Sequence, residues 1–258
     1  MTYKPPRRPQ FFYTTAPLPC PYVTGRIERK VVTEITGADS DLLHDRLSRA
    51  GFRRSHNIAY APVCPGCNAC IPIRVPAADF QPDRTLRRID RANAGLESFE
   101  LPARATAEQF QLFQRYQQVR HRDGDMASMS FYDYRAMVED TPIETFMAEF
   151  RDGDDRLVGA CLTDRLGDGL SAVYSFFAPD LERRSLGTYT ILWLIERARR
   201  AGLPYVYLGY WVPDSRKMAY KARFRPSEIL VGGTWRTLTE ATVAARPGAE
   251  TLVPQTAG

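Results

Sequence analysis

Residues 172–211 decide the fold: Ala172-Val-Tyr-Ser-Phe-Phe-Ala-Pro179, then Arg183-Arg-Ser-Leu-Gly-Thr-Tyr189, a periodic segment to Ala201, and Gly202-Leu-Pro-Tyr-Val-Tyr-Leu-Gly-Tyr-Trp211. The first run is aromatic and β-branched and stops at a proline, which predicts a strand. Thr188, Ile191, Leu192, Ile195 and Ala198 recur at helical spacing, so one face of a helix is buried. Ser185 is the expected N-cap, its hydroxyl accepting an orphan backbone N–H. Arg197, Arg199 and Arg200 fall in the last turn, where cations suit the helix dipole, and Gly202 suits the left-handed stop. Tyr205 to Leu208 then read as a buried strand. The order is strand, turn, helix, strand.

Outward from this unit, Arg183 and Arg184 precede a helix start containing Ser185 and Gly187. Free N–H groups and positive charge there suit an anion; an ordinary cap on a βαβ unit is the plainer alternative. Beyond Trp211 comes Asp214-Ser-Arg-Lys-Met-Ala-Tyr-Lys-Ala-Arg-Phe-Arg-Pro226. It sets Lys217, Lys221, Arg223 and Arg225 beside Tyr220 and Phe224, just past a strand end, where open α/β sheets bind ligands. As a helix, this segment would put Lys217 and Lys221 on one face, ready for a carboxylate. A solvated amphipathic helix is the alternative.

The chain has 258 residues, 44% of them hydrophobic, enough for one large domain or two modest ones. Its net charge of +5 favours an anionic partner. Nearly all its cations are arginine, the better phosphate fork; lysine occurs only at Lys4, Lys30, Lys217 and Lys221. There is no long apolar run and no secretory pattern at the N-terminus, so the expectation is a cytoplasmic protein with no membrane partner.

Five cysteines, an odd number, argue against a disulfide framework. Cys64-Pro-Gly-Cys67-Asn-Ala-Cys70 has the spacing of a metal knuckle, and Cys20 would be a fourth thiol. Zinc or an iron–sulfur cluster suits four thiols; a structural turn of reduced cysteines is the alternative. Arg84, Arg87, Arg88 and Arg91 fall on one helix face, a stripe that can track a phosphate backbone. The alternative is a solvated helix paired with Asp83 and Asp90.

Elsewhere, Phe52 to Ala61 reads as a strand and residues 94–105 as a connector. Thr106-Ala-Glu-Gln109 is a capping box opening a helix, and Ser130 caps another. Residues 142–150 and 157–166 read as a hairpin. The fold class is therefore α+β: a cysteine-containing N-terminal module over 1–100, a second domain over 101–243, and a disordered tail over 244–258.

Tyr174-Ser-Phe, Arg184-Ser-Leu-Gly-Thr-Tyr, Pro204-Tyr-Val-Tyr-Leu-Gly-Tyr-Trp and Lys217-Met-Ala-Tyr-Lys-Ala-Arg-Phe-Arg-Pro together resemble the arginyl-tRNA–protein transferase family, most closely its bacterial leucyl branch. Pro19-Cys-Pro-Tyr, Gly51-Phe-Arg-Arg-Ser, the cysteine knuckle, Arg115-Tyr-Gln and Arg120-His extend the resemblance over residues 11 to 235. The eukaryotic Cys-Gly-Tyr-Cys and paired cysteines are not present.

The resemblance implies a Gcn5-related acyltransferase-like C-terminal domain. It implies transfer of leucine from leucyl-tRNA to proteins beginning with Asp or Glu, marking them for degradation. That aminolysis requires no cofactor. Arg183, Arg184, Lys217, Lys221 and Arg223 would hold the acidic side chain or the terminal tRNA phosphate. Tyr174, Tyr210, Trp211 and Tyr220 would wall a leucine pocket or stack the terminal adenine, and His121 is the candidate base. Two rivals are an acetyl-CoA-dependent acetyltransferase and a non-catalytic RNA-binding module. The first is weakened by Tyr189, which stands where a pyrophosphate loop needs a small residue.

Overall fold

The strands of this α+β chain fall into one small sheet, one large sheet and a two-stranded hairpin; the computed structural model describes residues 9–122 and 124–244. The N-terminal part contains β1 (Tyr13–Thr14), β2 (Leu18–Pro19), β3 (Ile27–Glu28), β4 (Lys30–Glu34), α1 (Ser40–Arg49), β5 (Arg53–Ser55) and β6 (Ile58–Pro62). β1, β4, β6 and β5 form the small sheet in that order, and β2 pairs with β3. Next come β7 (Ile71–Pro76), α2 (Arg84–Ala92), β8 (Glu97–Pro102), α3 (Ala107–Arg120), α4 (Phe131–Glu139), β9 (Thr145–Arg151), β10 (Leu157–Leu166) and β11 (Gly169–Phe177). α5 (Leu186–Arg200), β12 (Tyr205–Trp211), β13 (Glu228–Val231), β14 (Thr234–Thr237) and α6 (Glu240–Ala244) complete the described chain.

The large sheet runs β14-β13-β7-β12-β11-β10-β9-β8. Antiparallel β9, β10 and β11 lead through α5 to β12, which lies parallel to β11. This is the acyltransferase-like arrangement expected from the sequence. A parallel pair needs a long crossover, and α5 supplies it. Among the described residues the β11–β12 pairing covers three positions, Gly169↔Tyr205, Leu170↔Val206 and Ser171↔Tyr207. Beyond them the two strands part. A register shift between Tyr207 and Gly209 on β12, and another between Leu162 and Thr163 on β10, accompany the divergence. Bulges of this kind turn strands aside near functional sites.

Local signals account for most helices. The Thr106–Gln109 and Ser130–Asp133 capping boxes form with both reciprocal bonds. Asp83 caps α2 by accepting from the Leu86 N–H at 2.7 Å. α3 packs Phe113 against Tyr174 and Phe176 of β11, and α5 packs Tyr189 and Trp193 against Phe150 of β9.

Several expectations need correction. The connector at 94–105 contains β8, an edge strand paired with β9. The division at residue 100 does not divide the large sheet, because β7 sits between β12 and β13, and β8 closes the other edge. The strand over 52–61 is two strands, turning at His56, which adopts φ 53°. Ser185 is no side-chain cap: it is left-handed (φ 53°, ψ 45°) after a 3-10 turn over Pro179–Arg184, and its hydroxyl makes no capping bond. The 214–226 segment is not an α-helix; one 3-10 turn, Ala219–Arg223, replaces it. The β13–β14 hairpin has no counterpart in the sequence reading. Of the tail expected to be disordered, only Ala244 lies within the described residues.

One buried ion cluster joins the small sheet to the large one. Arg54 of β5 grips Asp164 of β10 through two bonds of 2.6 and 2.8 Å. Thr145 donates to the same carboxylate at 3.0 Å, and His44 Nε2 of α1 lies 3.2 Å away. All but Thr145 are buried, Asp164 completely. Burial alone would raise the Asp164 pKa; the His44 and Arg54 contacts outweigh it and hold the carboxyl below its ordinary range. Asp164→Ala should therefore lower the unfolding free energy by about 3–5 kcal/mol, the cost of leaving a buried charge unpaired. A chemical-denaturation midpoint equal to the parent's would remove this pin from the fold's essentials.

Candidate functional site

The gap where β11 and β12 part is occupied by a side chain from the small sheet. Arg53 Nη2 donates to the carbonyls of Ala172 and Val173 on β11, at 2.8 and 2.9 Å. Across the gap its guanidinium lies against Gly209 of β12. A Cβ at that position would sit 2.1 Å from Nη1, and the residue holds φ +74°. Only glycine meets both demands. Arg53 thus spans the opening that the short parallel pairing leaves.

Lys221, on the 3-10 turn after β12, enters the same region. Its Nζ donates to the carbonyl of Tyr210 at 2.9 Å. Desolvation, reinforced by the Arg53 charge, lowers its pKa from 10.5 to about 7. Charge stays on such a lysine only when something anionic joins it. The Arg53 charge also acts on Tyr22, Cys161, Tyr210 and Tyr220, so these groups surround it.

An aromatic wall completes the site. Tyr174 of β11 accepts a 2.6 Å bond from Gln117 of α3. Tyr116, one residue earlier on α3, packs on Phe177 and His121. Its hydroxyl approaches His121 Nε2 at 3.4 Å, and it sits electrostatically beside Tyr174 and Tyr220. Burial, then the charges of Lys217 and Arg120, holds His121 below its ordinary pKa, so the imidazole is neutral at pH 7. Tyr116 thus links Tyr174, Tyr220 and His121, Lys217 lies near enough to act on His121, and Lys221 follows Tyr220 in the chain.

Other expected residues take different parts. Tyr210 is buried and its hydroxyl is shared between the carbonyls of Gly51 and Tyr60, at 3.0 and 3.1 Å; it ties β12 to the small sheet rather than walling a pocket. Trp211 is buried, with no protein acceptor for its indole N–H. Lys217 and Lys221 share no α-helical face, because the segment is a 3-10 turn, and Lys217 and Arg223 are exposed. Gly187 makes room for a ring: a Cβ there would lie 2.8 Å from Phe177. Arg184 donates to the Ala92 carbonyl at 3.3 Å, and Asn93 Nδ2 donates to the Arg184 carbonyl at 2.8 Å. Arg184 thus belongs with the end of α2, and Arg183 and Ser185 flank it in the chain.

The α2 stripe is real but narrower than expected. Arg84, Arg88 and Arg91 line one open surface depression with Thr85. Arg87 turns back to the Pro82 carbonyl at 2.7 Å. All four arginines are exposed, and among the described residues none pairs with a carboxylate.

The thiols of Cys20, Cys64, Cys67 and Cys70 are neighbours. Burial first, then the other three thiols, pushes Cys70 up to about 12. Backbone N–H groups of Val23 and Arg29 donate to Cys20 and Cys64, each at 3.4 Å. Among the described residues, however, no group of three or more His, Cys, Asp or Glu side chains is arranged to hold a metal ion.

Sequence reasoning missed Arg53, Tyr116 and Gln117. A glycine within the aromatic run of β12 was the available signal, since strand glycines mark close approach of another group. Gln117 is polar yet almost wholly buried among apolar neighbours on its helix, a burial that local sequence does not announce.

Known proteins place this architecture. Residues 18–88 match the family model described as arginine-tRNA-protein transferase, N terminus, and residues 108–231 match its C-terminus counterpart. An aspartate/glutamate leucyltransferase of Gluconacetobacter diazotrophicus is 69% identical over 238 residues, 92% of each chain. Namesakes from Granulibacter bethesdensis and Paramagnetospirillum magneticum are 68% and 65% identical, over 93% and 92% of this chain and 90% and 97% of theirs. Among solved structures, L-PGS from Bacillus licheniformis gives a TM-score of 0.49 at 12% identity, over 66% of this chain and 58% of that one; FemX gives 0.47 at 9%, over 76% and 67%. With both halves of the family model matched and close relatives aligned nearly end to end, the chain belongs to the arginyl-tRNA–protein transferase family, in the branch of the aspartate/glutamate leucyltransferases.

Proposed function

We infer the activity from this membership: the chain is an aminoacyltransferase that moves leucine from leucyl-tRNA to the α-amine of proteins beginning with Asp or Glu. In its family, that leucine marks a protein for degradation by the N-end rule. Identity of 65–69% along nearly the whole chain carries this reading. No helix among the described residues is long and apolar enough to cross a membrane.

The reaction is aminolysis of an activated ester. A C–N bond forms at the leucyl carbonyl, the ester C–O bond breaks, and the amine proton ends on the departing ribose oxygen. A free α-amine has a pKa of about 8, so a modest acceptor suffices. Neutral His121, beside Tyr116 and Lys217, is the candidate for that acceptor. The cations around the site also lower the amine's own pKa and favour its nucleophilic form. Tyr116, Tyr174 and Tyr220 offer the apolar, hydroxyl-tipped wall for leucine or the terminal adenine. Arg84, Arg88 and Arg91, with Arg183 and Arg184 close by, form the surface for the tRNA backbone. Aminolysis of the ester needs no metal, whether the four thiols hold zinc, an iron–sulfur cluster or only one another.

The acetyltransferase rival loses ground on two packing facts. Gly187 is filled against Phe177, and Tyr189 is buried on Phe150, so neither residue serves a pyrophosphate loop.

Labelled leucine should pass from charged tRNA to peptides beginning with Asp or Glu, and little to peptides beginning with Ala. Acylation that depends on acetyl-CoA alone would refute the reading. Arg88→Ala with Arg91→Ala should weaken leucyl-tRNA binding. It should also flatten the plot of log affinity against log salt by about one unit for each phosphate the protein no longer holds. An unchanged slope would return α2 to the solvent.

Lys221 predicts a pH effect whose sign follows from its pKa of about 7. In the free protein the amine is charged below that value and neutral above it. The Michaelis constant for acidic peptides should therefore rise as pH increases from 7 to 9. Lys221→Ala should raise that constant by about ten- to a hundredfold at pH 7, the loss of one charge-assisted bond, and abolish its pH dependence. Weakening confined to leucyl-tRNA would assign Lys221 to the nucleic acid instead.

A further inference from the structure

Arg53 presents an unfinished set of hydrogen bonds. Its Nη2 is committed to Ala172 and Val173, whereas Nη1 is buried and has no protein acceptor. Guanidinium groups bind carboxylates through a planar fork, and a buried donor left without an acceptor is costly. The second cation, Lys221, stands near enough for the Arg53 charge to disfavour its ammonium, and it is bonded only to the Tyr210 carbonyl. Among the described residues no carboxylate pairs with either cation. The acidic groups closest to their surroundings are taken, Asp164 by Arg54 and Glu28 by Lys30. Arg53 lies against Gly209 and Lys221 holds the carbonyl of the next residue, Tyr210, so two like charges are kept near each other, and an anion beside them relieves the repulsion and supplies the missing acceptor. Arg53, Lys221, Tyr22, Tyr60 and Cys70 are each part-exposed, although the Arg53 Nη1 atom itself is buried.

We propose that Arg53, with Lys221 held at the neighbouring Tyr210 carbonyl, is the receptor for the side-chain carboxylate of the substrate's N-terminal Asp or Glu, and so sets the acidic specificity of the transfer. The proposal rests on the leucyltransferase reading and deepens it. Nη1–H would give the carboxylate a donor while Nη2 keeps the guanidinium fixed across the gap between β11 and β12. The Lys221 ammonium would supply a second contact. An amide side chain of the same shape gives no charge to offset the two cations, and its own N–H groups face donors. Asn and Gln are therefore rejected by repulsion as well as by weaker attraction.

The test compares leucine transfer by the full chain, with leucyl-tRNA, to peptides that differ only in beginning with Asp, Asn, Glu or Gln. The parent is expected to prefer Asp over Asn, and Glu over Gln, by about a hundredfold or more in kcat/KM, as loss of charge-assisted bonds to a buried site implies. Arg53→Gln should bring both ratios to within a few fold of unity, while the Michaelis constant for leucyl-tRNA stays within about twofold. Arg53→Lys keeps a cation that can reach the β11 carbonyls but loses the fork. It should fold even where Arg53→Gln does not, and lower the ratios by about tenfold. If activity falls equally on all four peptides and the acid-to-amide ratios persist in Arg53→Lys, Arg53 is a strut and the inference is overturned. A parent protein that transfers leucine to none of the peptides would instead overturn the leucyltransferase reading.

Discussion

Two adjacent arginines on a three-residue strand hold the architecture together. Arg54 drives into the large sheet at Asp164 of β10, and Arg53 drives in at β11 and β12. Consecutive side chains of a strand leave on different sides, so one short segment can reach two places. The two contacts differ in kind. Arg54 meets a fully buried carboxylate and is satisfied in every direction that matters. Arg53 meets backbone carbonyls and a glycine, which orient it without neutralising it. The first contact fixes where the small sheet sits; the second delivers an uncompensated charge to the place where the parallel strands part.

That asymmetry explains why the site tolerates a buried lysine. Removing an ammonium from water is expensive, and the usual outcome is a lowered pKa rather than a retained charge. Lys221 follows that rule, with a value of about 7. A lysine poised there costs the free protein little, because it can shed its proton. With an acidic side chain beside it, the proton returns and the pair becomes a desolvated, charge-assisted contact. Arginine cannot shed its proton, so Arg53 must carry its charge always. One permanent cation and one conditional cation form a receptor that is tolerable when free and strongly attractive when filled.

The legible parts of the fold were those encoded within a few residues. The Thr106–Gln109 box, the Ser130 cap and the 3.6-residue repeat of α5 are local, and each formed. β8 escaped notice because Glu97-Ser-Phe-Glu-Leu-Pro is a mostly exposed edge strand, whose identity comes from pairing with β9. The two family models meet on either side of residue 100, at 88 and 108, yet β7, early in sequence, inserts between β12 and β13, and such long-range pairing leaves no local trace. The site was half legible. Tyr174, Tyr220 and His121 do gather around Tyr116, with Lys217 near enough to act on His121, since they flank the strand ends that the pattern revealed. Arg53 was visible only within the run Gly51-Phe-Arg-Arg-Ser. Its importance depends on Gly209, far along the chain, and on the parting of β11 from β12. Ser185 failed as a cap because the preceding 3-10 turn delivers it in a left-handed conformation, where its hydroxyl is misdirected.

The positive charge of the chain, finally, is divided by burial into two sets with different physics. The α2 arginines are exposed and face no carboxylate, so they act through a field that extends about a Debye length and weakens as salt is added. Arg53 and Lys221 act at contact distance in a desolvated setting, where salt screens poorly. On the proposed assignment, attraction of a tRNA to α2 would be adjustable by ionic strength, while discrimination at the substrate's N-terminal side chain would not. A transferase that must release one macromolecule after each turnover, yet select the other by a single side chain, benefits from keeping those two electrostatic functions on separate residues.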